Sequence, residues 1–161
     1  METSAISTQA AEILEPVISV LQQALGDDLI ALALFGSQAR GQATSTSDWD
    51  LLLIAHSLPS KYLSRHFYLK KLLSESHRGV VTFIAKTPAE FEAALPPLYL
   101  DIALDGIILH DSNKYLATQL NKLRRFIQTQ GLYREQIADD LIWHWREFPG
   151  LEWSLTWETA L

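Results

Sequence analysis

The chain has 161 residues, 48% of them hydrophobic, no cysteine, and a formal net charge of −6. That composition fits one folded domain and excludes general disorder, a disulfide framework and a thiolate metal site. The acidic balance argues against nucleic acid as a partner, because phosphate backbones need a basic surface, but it leaves room for a small nucleotide arriving with metal ions.

The first residues, METSAISTQAAEILEP, lack the basic start and apolar core of a signal peptide, and no apolar run approaches the length of a membrane span. A soluble cytoplasmic protein with no membrane partner is therefore expected. Residues 5–25 carry apolar positions at helical spacing with Gly26 as a stop, and Pro16 predicts a kink or a later start. LIALALF (29–35) is short, wholly apolar and bounded by Asp27-Asp28 and Gly36, which suits a buried strand. One or two helical turns are expected over 37–43, then a second strand in WDLLLIA (49–55). A helix is predicted over 61–76 and a third strand, rich in β-branched residues, over 80–87. Thr87, Pro88 and Glu90 form the start signal of the next helix: a capping residue, proline at the first position, and glutamate three residues after the cap. Helical segments over 97–105 and 112–130 flank a short strand, IILH, at 107–110. Alternation of this kind points to an α/β sheet covered by helices. In LEWSLTWE the residues Leu151, Trp153, Leu155 and Trp157 alternate with polar ones, predicting a last strand with one buried face.

Two motifs carry chemistry. Gly36-Ser37 marks a tight turn from a buried strand into a helix start, where glycine admits a ligand close to the backbone and free N–H groups with a serine hydroxyl suit a phosphate. Arg40, one turn on, could reach the same anion. Asp48-Trp49-Asp50 opens the second strand; side chains two apart on a strand share a face, so both carboxylates can serve one hard divalent cation such as Mg²⁺, while Trp49 faces the other way into a helix. Either motif alone reads as well as an ordinary turn. Together, at the ends of two neighbouring strands, they could hold a triphosphate tail bridged by metal to the acids.

Gly-Ser, ten residues, then Asp-x-Asp resembles the signature of the DNA polymerase β-type nucleotidyltransferase superfamily. The fuller form, GSQARG followed by SDWDL, is similar to the minimal nucleotidyltransferase branch, found as antitoxin-like partners of HEPN-domain proteins. The motif spans residues 36–50, and the supporting layout runs from about residue 10 to 130. The resemblance implies an α/β fold, a mixed sheet of about four strands flanked by helices, in a nucleotidyltransferase domain over 1–131. Residues 132–161 would then be a C-terminal tail packed on the domain or on a partner subunit, with homo-oligomerisation through that tail as one outcome. It also implies a two-metal Mg²⁺ site, ATP or another NTP as substrate, and transfer of NMP, AMP foremost, to a hydroxyl of a protein or small molecule. Gly36 and Ser37 would hold the β- and γ-phosphates with Arg40 beside them. Asp48 and Asp50 would be the metal ligands and catalytic residues, one metal activating the acceptor hydroxyl and the other stabilising the leaving pyrophosphate.

The sequence departs from that family in one respect. A third carboxylate is expected on the next core strand, yet VVTFIAKT has none and Thr82 falls near its position. Glu75 precedes that strand, and Asp101 and Asp105 read as solvated charges on one helix face. The third ligand is missing, moved, or supplied by a partner. The alternative to an enzyme is thus a weak or inactive nucleotidyltransferase-like antitoxin, a binding module for a HEPN-type partner. A third reading, an aminoglycoside-type nucleotidyltransferase, would need dimerisation to complete its site. The five histidines have no metal-ligand spacing, and Lys61, Arg65, Lys70 and Lys71 read as the solvated face of an amphipathic helix.

Overall fold

In the computed structural model, which describes residues 7–161, the first helix, α1 (Thr8–Leu25), starts at Ser7, whose side chain accepts from the Ala10 N–H. Ala10, Leu14, Val17, Leu21 and Leu25 recur every three or four residues and form its buried face. Pro16 lies inside the helix on its exposed side, so the chain neither starts nor stops there. Strand β1 (Leu29–Phe35) is buried throughout, and a five-residue helix, α2 (Gly36–Arg40), follows it directly. Strand β2 (Trp49–Ala55) leads through α3 (Tyr62–Leu72) and a single turn, α4 (Glu75–Arg78), into β3 (Val81–Lys86). Then come α5 (Pro88–Ala93), α6 (Pro97–Asp105), β4 (Ile107–Asp111) and α7 (Tyr115–Thr129). The Thr87 cap forms the expected reciprocal pair with Glu90 at the start of α5.

The sheet order is β3-β2-β1-β4, with β1 antiparallel to β2 and β4, and β2 parallel to β3. It is the expected mixed four-stranded sheet flanked by helices. The pleat divides the core in two. Leu32, Leu34, Trp49, Leu51, Leu53 and Val81 face α1 and the Leu69 side of α3. Ala33, Phe35, Leu52 and Ile54 face α5, α6 and α7. Trp49 is buried on the first of these faces, as its place between the aspartates predicts.

Two expectations fail here, and one element was not expected. No strand forms over 151–157; Leu151 is 95% exposed, whereas Trp153, Leu155 and Trp157 lie against the core as irregular chain. A hairpin precedes them, β5 (Leu132–Ile137) and β6 (Asp140–Trp145), as a separate two-stranded sheet. Asp101 and Asp105 are not solvated charges: Arg134 of β5 donates to Asp101 Oδ1 at 3.1 Å and to both oxygens of Asp105 at 2.6 and 2.9 Å, and Trp143 Nε1 donates to Asp101 at 3.0 Å. Among the described residues no helix is long and apolar enough to cross a membrane.

Candidate active site

Antiparallel pairing of β1 with β2 sets Phe35 opposite Asp50, so the strand end that turns at Gly36 meets the strand start that carries the acids. Gly36 has φ +74°, which side chains disfavour. A Cβ built there would overlap Asp50 Oδ2, so glycine is needed for backbone conformation and for space at the same point. The turn and the second aspartate are therefore packed against each other. Asp48 follows a small closed loop. Ser47 N–H donates to Thr44 O at 3.1 Å, Thr44 N–H returns to Ser47 Oγ at 2.9 Å, and Gln38 Nε2 reaches Ser47 O at 3.4 Å. Trp49 N–H then donates to Val80 O at 2.8 Å, fixing the start of β2 against the approach to β3. Asp48 is exposed and Asp50 half-buried.

Parallel pairing of β2 with β3 sets Thr82 beside Asp50, and the Thr82 hydroxyl donates to Asp50 Oδ1. The family resemblance puts Thr82 near the place of the missing third carboxylate, and the register sets Thr82 on the same face as Asp50. Glu75, on α4, is not a substitute. Among the described residues no three His, Cys, Asp or Glu side chains are grouped to hold an ion. The acids that remain are Asp50 beside the glycine turn and exposed Asp48 two residues before it, a donor set that fits Mg²⁺, which takes one or two carboxylates and completes its shell with water and substrate phosphates.

Ser37 and Arg40 line one cavity of about 270 Å³ with Gln42, Thr44, Ser47, Gln136 and the acidic Asp139, and neither Asp48 nor Asp50 lines it. Arg40 Nε donates to Gln42 Oε1 at 3.0 Å, and the side-chain amides of Gln42 and Gln136 bond each other at 3.0 and 3.3 Å, tying the hairpin tip to the loop after α2. A larger cavity of about 760 Å³ lies at the other end of the sheet, against Leu29, His56 and His110, and includes none of the motif residues. Lys70, read from the sequence as solvated, is tied to the start of β3. Lys70 Nζ donates to Arg78 O at 2.6 Å and to Val81 O; burial lowers its pKa, while the charge of Asp48 opposes that shift. Its helix gave no signal for this, because the contact depends on the α3–β3 crossover. Arg65 of the same helix is not solvated but buried.

A family profile described as nucleotidyltransferase domain matches residues 15–110, a span that contains the turn, both aspartates and Thr82. The chain belongs to that family. A protein of Methanocaldococcus jannaschii, provisionally named a protein adenylyltransferase, is 32% identical over 120 residues, covering 72% of this chain and 82% of the relative. Two crystal structures share the fold. A toxin–antitoxin with AMP-PNP matches at TM-score 0.53 and 18% identity over 71% of this chain and 86% of the other. A mutant MntA–HpeT toxin–antitoxin matches at TM-score 0.52 and 19% identity, over 72% and 86%. Nucleotidyltransferases of this family generally use an NTP and a divalent metal.

Proposed function

We propose that this nucleotidyltransferase moves AMP from ATP to a hydroxyl group of a protein, with Mg²⁺ as the divalent ion. The observation that carries the reading is the packing of Asp50 on Gly36, which sets a carboxylate against a glycine turn at one point of the sheet. The provisional name of the archaeal relative supports AMP and a protein acceptor. Asp48 and Asp50 would hold the ion, which neutralises triphosphate charge and the charge developing on the leaving pyrophosphate. The backbone N–H groups after Gly36, the Ser37 hydroxyl and the Arg40 guanidinium would hold the terminal phosphates. The acceptor oxygen bonds to the α-phosphorus, the bond from that phosphorus to the bridging oxygen breaks, pyrophosphate departs, and the hydroxyl proton passes to water. No carboxylate base stands on β3 to take that proton. Transfer is accordingly slow compared with a site carrying one.

The likeness to toxin–antitoxin structures favours a second, compatible reading: the acceptor is a HEPN-type toxin partner, bound as well as modified. The test is incorporation of label from α-labelled ATP into a co-expressed partner. Asp48→Asn and Asp50→Asn should each reduce incorporation at least 100-fold, a loss typical for removing a charge-stabilising group. Equal labelling by wild type and both variants would overturn the enzymatic assignment. No labelling by wild type, with partner binding that survives both substitutions, would leave the binding role alone standing.

A further inference from the structure

We propose that Gln136, near the tip of the β5–β6 hairpin, is a positioning residue of the phosphate subsite: acting through Gln42, it aims the Arg40 guanidinium at the terminal phosphates of the nucleotide. The inference rests on Ser37 and Arg40 as the groups that hold those phosphates, and adds the element that aims them. The hairpin starts at Leu132, outside the residues 15–110 that the family profile matches. Its body is fixed on α6 by the bonds of Arg134 to Asp101 and Asp105. Its tip reaches the loop after α2, where Gln136 meets Gln42 across 94 positions of sequence.

The bonds form a relay. Gln42 Nε2 donates to Gln136 Oε1 at 3.0 Å, and Gln136 Nε2 returns to Gln42 Oε1 at 3.3 Å. Gln136 Nε2 also donates to Ala138 O at 3.1 Å in its own turn, so both amide protons are engaged and the side chain is held in one orientation. Gln42 Oε1 in turn receives Arg40 Nε at 3.0 Å. A guanidinium is a planar fork, and fixing Nε leaves its two terminal nitrogens as donors. Among the described residues no hydrogen bond reaches either of them, and Arg40 lines the same cavity of about 270 Å³ as Ser37 and Gln136. An arginine held in place before an anion arrives loses less conformational freedom on binding it. Asp139, next to Ala138 in the turn, also lines that cavity and opposes an anion there. The hairpin tip thus both aims the cation and limits its pull.

The experiment measures binding of AMP-PNP with Mg²⁺ by titration calorimetry, with AMP as the control that lacks the terminal phosphates. Gln136→Leu should bind AMP-PNP roughly three- to tenfold more weakly, the cost of a lost neutral hydrogen bond, and should bind AMP as wild type does. Gln42→Leu cuts the relay from the other side and should show the same selective loss, so it carries the test if the first variant disturbs the hairpin; thermal melting of each separates misfolding from lost affinity. In an Arg40→Ala background Gln136→Leu should cost nothing further, because the relay then aims no cation, whereas a purely structural role would cost the same in both backgrounds. Asp139→Asn should tighten AMP-PNP binding about two- to threefold at low salt. Unchanged AMP-PNP affinity in both leucine variants, an equal loss for AMP, an undiminished loss in the Arg40→Ala background, or weaker binding by Asp139→Asn would each overturn the proposal. No AMP-PNP bound by wild type, or wild-type affinity in Arg40→Ala alone, would instead bring down the reading of the phosphate turn on which it stands.

Discussion

At the scale of single residues, Gly36 decides whether the site exists. Its φ of +74° costs an L side chain about 1–2 kcal/mol, and the Asp50 carboxylate already fills the space a Cβ would take. Gly36→Ala must move either the turn or Asp50, and Asp50 cannot withdraw without breaking its bond from Thr82. Nucleotide affinity, measured by calorimetry with Mg²⁺ and AMP-PNP, should fall more than tenfold, and Tm should drop by several degrees. An alanine variant that binds as wild type would show that the turn and the acid act independently. Much of this was legible beforehand. Glycine after an apolar strand and an acid at the start of the next announce the contact, because strand alternation fixes which side Asp50 takes; Asp48 precedes β2 and escapes that rule. The Thr82 donor was legible only as a position, since the register between β2 and β3 depends on a crossover that single-residue patterns do not encode. The bonds of Lys70 to Arg78 O and Val81 O were hidden for the same reason.

At the scale of elements, Arg65 joins three of them. Its guanidinium donates to Pro59 O and Ala85 O, each at 2.9 Å, and to the two oxygens of Glu90 at 2.8 and 3.1 Å, so α3, β3 and α5 meet on one side chain. The basic residues of α3 read as solvent-facing; burial of one member could not be told from a helix whose aromatic residues, Tyr62 and Phe67, point outward. Arg65→Ala should cost about 2 kcal/mol in urea unfolding, because two backbone carbonyls lose their donor. The same bond holds the Glu90 carboxyl down to about 2 from an ordinary 4.5, with the Thr87 N–H assisting. A lowered folded-state pKa gives stability that is complete above the unfolded value and is lost as pH falls toward the folded one. The stability gap between wild type and Glu90→Gln should therefore be constant near neutrality and shrink from about pH 4.5 to 2. Glu90 is partly exposed, so that gap should be about 1 kcal/mol or less. A gap unchanged at pH 2.5 would mean that Glu90 stabilises by packing rather than by charge. The hairpin of β5 and β6 escaped sequence reasoning for a local cause. Its two-residue turn places Ala138 at φ +54°, a conformation usually announced by glycine or asparagine.

At the scale of the whole molecule, the question is what the residues beyond the catalytic layout contribute. The alternation of Trp153, Leu155 and Trp157 was legible as a buried face, and burial on one side is what it produces; the ladder is missing because no sheet edge lies alongside. Irregular chain can bury alternate residues if its polar groups find other partners, and the tryptophan ring nitrogens do so. Trp157 Nε1 donates to Phe91 O at 2.9 Å and Ala94 O at 3.0 Å, and its ring lies 5.4 Å from Phe91. Trp153 Nε1 donates to Gln130 Oε1 at 3.0 Å. These bonds clamp the chain end across α5 and the end of α7, on the face of the sheet that also presents Asp50. Full burial of a tryptophan is worth about 3–5 kcal/mol on truncation to alanine. Trp157 is half-buried, so Trp157→Ala should cost about 2 kcal/mol and lower Tm by roughly 4–8 °C in a chain of this size. Leu151→Ala, at a residue that is 95% exposed, should stay within about 0.5 kcal/mol of wild type. If the tail serves a partner subunit instead, the order reverses: Trp157→Ala leaves the isolated chain's Tm unchanged, and its effect emerges only in the mass of the assembly. Thermal melting and light scattering on the same two variants distinguish those outcomes, because burial within one chain stabilises at any concentration whereas burial between chains requires their association.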